Sequence, residues 1–259
     1  MIKKLRDHIY NIGLFACIPA VSGEDVVRAA DALIAGGIQG IIVSWNKHVF
    51  TAVEQLHARY PQILIGAQGP YEKAGQLFAS GAAFTVDTAG IPTRIQIPFL
   101  LRKGNDLIDG KDVLAQCSNK LVFVTDVKQQ QWEDITLRTE RALRDMLGFE
   151  LKHVGINHPD ASAAENTVNQ VDQLFGFPKI DKGGAFFAGP YIECMKKMFY
   201  GTHGHIAIAT NNAARAAWYL EKRGAQFNWD SAEYNADGAL RVVYLKDEWG
   251  GFAVHIVQK

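Results

Sequence analysis

Short apolar runs alternate with segments of helical period through the first ninety residues. Gly13-Leu-Phe-Ala-Cys-Ile-Pro-Ala20 is a run suited to a strand buried on both faces. Ser22 and Asp25 follow at capping-box spacing, with Asp where Glu or Gln is usual. Val26 to Ala35 then repeats apolar residues with helical period until Gly36-Gly37 stops it. The same alternation predicts strands at Gln39–Trp45, Ile63–Gln68 and Ala82–Val86, and helices at Val49–Tyr60 and Tyr71–Ala79. Strands recurring about every 19 to 26 residues with helices between them imply right-handed βαβ crossovers. The sheet is therefore parallel, either open or part of a barrel. Between residues 90 and 150 the pattern weakens. Thr93–Pro98 and Leu121–Thr125 are strand candidates, and Trp132–Leu147 is an amphipathic helix ended by Gly148.

Beyond residue 148 the pattern duplicates. Lys152-His153-Val-Gly-Ile-Asn157, a helix from Ala163 to Leu174 and Phe175-Gly176-Phe177 align with a second set, which is Gly204-His205-Ile-Ala-Ile-Ala209, a helix from Ala213 to Arg223 and Gly224–Phe227. Each copy then ends in a strand with one polar residue among apolar neighbours: Glu193 in Pro190–Met195 and His255 in Phe252–Val257. Side chains alternate along a strand, so Val154 and Ile156 face away from His153, as Ile206 and Ile208 do from His205. Ile192 and Cys194 likewise oppose Glu193, and Val254 and Ile256 oppose His255. The apolar sets pack on helices, and His153, Glu193, His205 and His255 are left to converge on the concave face. A single histidine on an apolar strand is more often structural than a ligand. Four matched positions in two repeats are much harder to reach by accident.

Composition narrows the functional classes. The 259 residues carry 27 basic and 27 acidic side chains, without the basic excess a nucleic-acid backbone binder needs. With 48% hydrophobic and 21% charged residues the chain can bury a sizeable core. Cys17, Cys117 and Cys194 form neither a CxxC pair nor a disulfide framework. The basic start lacks an apolar stretch of signal-peptide length, and no run of 18 apolar residues offers a membrane span. The expectation is a reduced, cytoplasmic protein. Of the remaining polar and aromatic residues, His203 reads as loop, and Glu150 and His158 as solvated flanks of the first histidine strand. Gly183-Gly184 reads as a turn, Lys246–Trp249 as a hairpin turn, and Trp229, Tyr234 and Trp249 as candidate pocket walls.

Ala32-Leu-Ile-Ala-Gly-Gly-Ile-Gln-Gly-Ile-Ile-Val43, Ile65-Gly-Ala-Gln68 and Ala79-Ser-Gly-Ala-Ala-Phe84 resemble the N-terminal half of the class I 2-keto-3-deoxy-6-phosphogluconate/4-hydroxy-2-oxoglutarate aldolases. The resemblance covers roughly residues 10 to 90 and implies a (β/α)8 barrel. Where that family carries its acid/base Glu this chain has Ile42, and where it carries a substrate-carboxylate Arg it has Asn46. The Phe-Lys-Phe-Phe-Pro segment with the Schiff-base Lys has no counterpart. The resemblance therefore implies a retained scaffold without its usual chemistry.

His153-Val-Gly-Ile, Pro190-Tyr-Ile-Glu193, Gly204-His205-Ile-Ala-Ile and Gly250-Gly-Phe-Ala-Val-His255 resemble the vicinal-oxygen-chelate superfamily of glyoxalase I and extradiol dioxygenases. This resemblance spans residues 149 to 259. It implies that His153, Glu193 and His205 are metal ligands, with His255 where many members have Glu. The expected fold is thus an α/β domain of βα repeats (a partial or degenerate barrel, residues 1–148) followed by an α+β domain of two βαβββ modules (residues 149–259). Three nitrogens and one oxygen suit a divalent Zn, Ni, Co, Mn or Fe ion. The resemblance implies a metal-dependent lyase or isomerase acting on a small oxo- or hydroxy-acid through an enolate, with Glu193 also moving the proton. The alternatives are a non-catalytic small-ligand-binding protein of the resistance type and an aldolase acting through the N-terminal domain. A homodimer is expected, with a small-molecule substrate and neither nucleic acid nor membrane as partner.

Overall fold

The apolar runs of the first ninety residues become strands with almost no exposed side chain. In a computed structural model, described for residues 2–19, 24–87, 99–109 and 112–259, the chain divides into two units, Met1–Met146 and Leu147–Lys259. The first opens with α1 (Ile2–Ile12), β1 (Leu14–Ile18), α2 (Glu24–Ala35), β2 (Gly40–Val43), α3 (Val49–Arg59), β3 (Leu64–Gln68), α4 (Ala74–Ala79) and β4 (Phe84–Asp87). Every residue of β1 and β2 is buried. β5 (Phe99–Lys103), β6 (Asp106–Asp109) and β7 (Asp112–Ser118) then form a meander, and β7 pairs parallel with β1 to close a barrel. The barrel is thus parallel from β1 to β5, with an antiparallel hairpin where further βα units are expected.

Phe15 on β1 and Phe84 on β4 meet edge to face with centroids 5.4 Å apart. Those strands are not neighbours, so both rings point into the barrel. Gly40 and Gly66 make room for them, since a Cβ at either position would overlap the ring of Phe15 or Phe84.

The segment after β7 departs from expectation. Leu121–Phe123 is not strand, and α5 (Val124–Gln129) begins directly after it. The Asp126 carboxylate accepts a hydrogen bond from the Phe123 amide at 2.9 Å and pairs with Arg138. This local cap outweighs the β-propensity of Leu121-Val-Phe-Val. α6 (Trp132–Leu147) follows as predicted. The strand expected at Thr93–Pro98 and the cap expected at Ser22 lie outside the described residues.

The second unit runs β8 (Glu150–Ile156), α7 (Ala161–Phe175), β9 (Lys179–Asp181), β10 (Ala185–Ala188) and β11 (Ile192–Met195). A second set follows, β12 (Gly204–Thr210), α8 (Ala213–Lys222), β13 (Phe227–Tyr234), β14 (Leu240–Trp249) and β15 (Phe252–Gln258). Both helices start on side-chain caps: Asp160 accepts from the Ala163 amide at 2.8 Å and Asn212 from the Arg215 amide at 2.9 Å. The eight strands form one sheet in the order β13-β14-β15-β12-β8-β11-β10-β9. Its two halves match about the antiparallel β12/β8 seam: β8 pairs parallel with β11, and β12 parallel with β15. The helix-side apolar set of the first half buries Cys194, Phe186 and Ala188 against Ala164 and Val168 of α7.

Three expectations need correction here. Lys246–Trp249 is the end of β14, and the turn falls on Gly250-Gly251, both with positive φ. Trp229 sits inside β13 on the helix side, where its indole donates to Glu221 of α8 at 3.2 Å. It therefore does not wall the concave face. His158 is buried rather than solvated. Its Nε2 lies 2.8 Å from the Thr167 hydroxyl and its Nδ1 3.1 Å from the Ile156 carbonyl, a pairing that ties β8 to α7.

Candidate metal centre

Register explains how four separated residues reach one face of the sheet, Glu193 against His153 and His205, and His255 against the same two imidazoles. Glu193 lies beside Gly155, which lies beside His205, which lies beside Ala253. One step along the sheet, His153 lies beside Ala207, which lies beside His255, which lies beside Tyr244. Directly paired residues share a face, and residues two apart on one strand do as well. Both rows therefore point the same way, and each row separates its large polar side chains with Gly or Ala. Gly155 has a particular task. A Cβ built there would lie inside the van der Waals surface of the His205 imidazole, so the ring occupies the space that glycine leaves.

The convergence is tight. Glu193 Oε2 is 3.0 Å from His153 Nε2 and 3.0 Å from His205 Nε2, and the two nitrogens are 3.2 Å apart. A ring nitrogen of His255 joins these two imidazoles, all three ligand atoms lying within 4.8 Å of one another. His205 and His255 are buried, and the Nδ1 atoms of both have no hydrogen-bond partner. Phe187 stands edge-on to His153 with centroids 5.7 Å apart, and Tyr244 stacks on His255 at 4.6 Å. Tyr200 continues the stack on Tyr244 at 4.7 Å. Asn157 holds that wall in place, donating to the Gly201 carbonyl at 2.8 Å and accepting from the Phe199 amide at 3.2 Å.

Hydrogen bonds alone cannot satisfy the triangle. If both Nε2 atoms carry protons, both donate to the carboxylate, but the 3.2 Å nitrogen contact then sets donor against donor. If one is bare, its lone pair faces the carboxylate oxygen instead. One edge is unfavourable in either tautomer. A cation between the three atoms makes every edge favourable. Ligands about 2.0–2.2 Å from one ion in neighbouring positions stand roughly 3.0–3.4 Å apart, the separation found here. Nitrogen donors with one carboxylate match the preferences of divalent transition metals.

Burial pushes the Glu193 carboxyl up, but hydrogen bonds from His153 and His205 outweigh it and hold the group at about 2. Burial pushes His255 down, and the neighbouring His205 and His153 rings push it further, to about 3. Both groups are therefore already in the protonation state a cation needs at neutral pH. The signs fix an acid response of the metal-free protein. Glu193 contributes stability that is present above its unfolded value of about 4.5 and is lost as pH falls through about 2. His255 stays neutral when folded but charges in the unfolded chain below about 6.5, so stability also falls between about 6.5 and 3. Chelator-treated protein should lose stability on acidification across this whole span in urea titrations. Glu193→Gln should remove the lower limb, a change on the order of 2 kcal/mol.

The barrel unit offers no comparable Schiff-base chemistry among the described residues. Ile42 is buried in β2, and Asn46 lies beyond the strand, where its Oδ1 accepts from the His48 amide at 2.7 Å. Lys103 is the one lysine of the described barrel strands, and it is exposed at the end of β5, on the opposite side from inward-facing Arg102. Borohydride reduction in the presence of pyruvate is expected to leave no covalent adduct on the protein by intact mass. A stoichiometric adduct on any lysine of the first unit would contradict this.

Sequence reasoning placed the four polar residues on one face and did not single out Gly155, Tyr244, Phe187 or Asn157. The signal for Gly155 was present in His153-Val-Gly155, where parity aims the glycine at the cluster. Tyr244 required the β14/β15 register, which a lone sequence does not supply.

No protein-family model matches the chain, and no curated protein is similar to it in sequence. Among solved structures, a KDPG aldolase from Legionella pneumophila is 16% identical, with a TM-score of 0.46 over 52% of this chain and 97% of the other. The 2-keto-3-deoxy-6-phosphogluconate aldolase of Zymomonas mobilis is 18% identical, with a TM-score of 0.34 over 37% of this chain and 50% of its own. A methylmalonyl-CoA epimerase from Mycobacterium tuberculosis is 12% identical, with a TM-score of 0.33 over 44% of this chain and 89% of the other. Likeness at this level carries no chemistry, and the reading of the site rests on its own geometry. No helix of the described residues is long and apolar enough to cross a membrane.

Proposed function

We propose that residues 149–259 form a vicinal-oxygen-chelate domain whose His153, Glu193, His205 and His255 hold a divalent transition metal. It follows an aldolase-like domain of residues 1–148 that has given up Schiff-base chemistry. The protein then acts as a lyase or isomerase on a small oxo- or hydroxy-acid. The observation that carries this reading is the triangle of Glu193 Oε2, His153 Nε2 and His205 Nε2 with edges of 3.0, 3.0 and 3.2 Å. A metal bound there supplies Lewis acidity toward adjacent substrate oxygens. The chain supplies the rest. Glu193 Oε2 faces the two imidazoles, which leaves Oε1 to take a proton from the substrate carbon and return it. Phe187 and Tyr244 flank the ligands and keep water from their sides.

Proton movement is the testable core. Protein loaded with Zn, Ni, Co, Mn or Fe is expected to exchange deuterium from solvent into the carbon beside the carbonyl of small 2-oxo acids, followed by NMR. Glu193→Gln is expected to slow this about a hundredfold or more. Exchange that is equal in wild type and variant, or no exchange with any of these metals, would overturn the enzymatic reading.

A further inference from the structure

The hairpin between β9 and β10 brings a cation to the metal-centre face that the four ligands do not use. Register carries that face outward from the cluster. Glu193 lies beside Phe187, which lies beside Ile180, so the three side chains share one side of the sheet. Lys182 follows Ile180 by two residues, and its amide donates to the Ala185 carbonyl at 3.0 Å, which extends the β9/β10 ladder by one step. Its side chain therefore stands on the same side. The ammonium lies over the Phe187 ring at 4.3 Å from its centroid, and that ring stands edge-on to His153 with centroids 5.7 Å apart. The sum of the two distances holds Lys182 Nζ within about 10 Å of the His153 imidazole, with an aromatic face as its seat.

Two nearby lysines stand in contrast. Lys179 and Lys196 lie over Phe186 on the helix side, at 4.7 and 3.9 Å, and each pairs with an acid, Glu165 and Asp181 respectively. Asp181 precedes Lys182 in the chain but faces the other way by parity. Its carboxylate is engaged by Lys196 at 2.6 Å and by the Gly183 amide at 2.9 Å. Among the described residues no carboxylate forms an ion pair with Lys182. An exposed ammonium thus stands on an aromatic ring beside the cluster with its charge uncompensated. With a divalent ion in place, one carboxylate and three neutral imidazoles also leave the centre positive. A ligand spanning both is favoured when it carries two negative groups.

We propose that Lys182 is a specificity residue that takes a second carboxylate of the substrate, at the end of its carbon chain away from the metal centre. This rests on the metal-centre reading and narrows its substrate class to dicarboxylic oxo- or hydroxy-acids. One lysine offers a single compact charge with three donors, which a carboxylate neutralises one to one. The seat on Phe187 restricts the flexible stem before the anion arrives, so less freedom is lost on binding. The gap between Lys182 and His153 suits a chain of a few carbons between the two acid groups.

Isothermal titration calorimetry on the zinc-loaded full-length chain tests this, with 2-oxopentanoate set against 2-oxopentanedioate and 2-oxohexanoate against 2-oxohexanedioate. Members of each pair differ only in the terminal carboxylate. In at least one pair the dicarboxylate should bind about tenfold more tightly, a preference that shrinks as salt rises because the ammonium is exposed. Lys182→Met should abolish the preference while zinc content and affinity for the monocarboxylates stay at wild-type values, which a merely structural lysine would not produce. Equal affinity within both pairs for the wild type, or a preference that survives in Lys182→Met, would overturn the inference and leave the metal-centre reading standing. Failure of that reading has a different signature, a chain that takes up no zinc and binds none of the four acids, and it would overturn both.

Discussion

Gly155→Ala is expected to destroy the candidate metal centre with a single methyl group. The added Cβ would occupy space now filled by the His205 ring, and β8 has little freedom to retreat because it pairs with β11 on one side and β12 on the other. The ring must move instead, and with it the nitrogen that stands 3.0 Å from Glu193 and 3.2 Å from His153. Metal affinity should fall more than tenfold, because a ligand nitrogen displaced by even half an ångström no longer fits a bond of about 2.0–2.1 Å. Overpacking of this kind costs roughly 1–3 kcal/mol of stability, so the variant should still fold. Circular dichroism with chelator-competition titration checks both halves. A folded variant that binds metal as tightly as wild type would show that the His205 position is irrelevant to binding.

Glu193→Gln should have the larger effect on affinity. The side chain keeps its shape but loses the only negative charge among the four ligands, leaving three neutral imidazoles to balance a divalent cation. The amide also brings an NH2 group that can face the imidazoles in place of an acceptor oxygen. We expect at least about a hundredfold weaker binding, since even residues supporting a metal ligand are worth about 10–100-fold. Competition with a chromophoric chelator at neutral pH measures it. Unchanged affinity would mean that the carboxylate belongs to a hydrogen-bonded cluster only.

The elements that position the site were legible where one periodicity rules a whole segment. β8 and β12 follow from the alternation around His153 and His205, and α7 and α8 from the aligned helical segments Ala163–Leu174 and Ala213–Arg223, whose starting caps at Asp160 and Asn212 the structure supplies. The four converging side chains follow from parity together with duplication. In the register, Glu193 lies beside the residue two beyond His153, and His255 beside the residue two beyond His205. Harder to read was anything set by contacts distant in sequence. The β5–β7 meander closes the barrel through β7 pairing with β1, about a hundred residues away in the chain. Leu121–Thr125 has the composition of a strand, but the Asp126 cap and the Arg138 pair decide otherwise. His158 looked like a solvated flank because its partner Thr167 stands two turns into the following helix. The spacing role of Gly155 is a matter of ring volume across two strands, which alternation alone does not convey.

The most direct measurement is the metal content of protein purified without added metal and without a histidine tag, by elemental mass spectrometry, beside Glu193→Gln prepared identically. The arrangement of His153, Glu193, His205 and His255 predicts close to one transition-metal ion per chain in the wild type and a near-empty variant. A wild-type chain that carries no metal and takes none up on titration, or a variant that retains as much as the wild type, would contradict it.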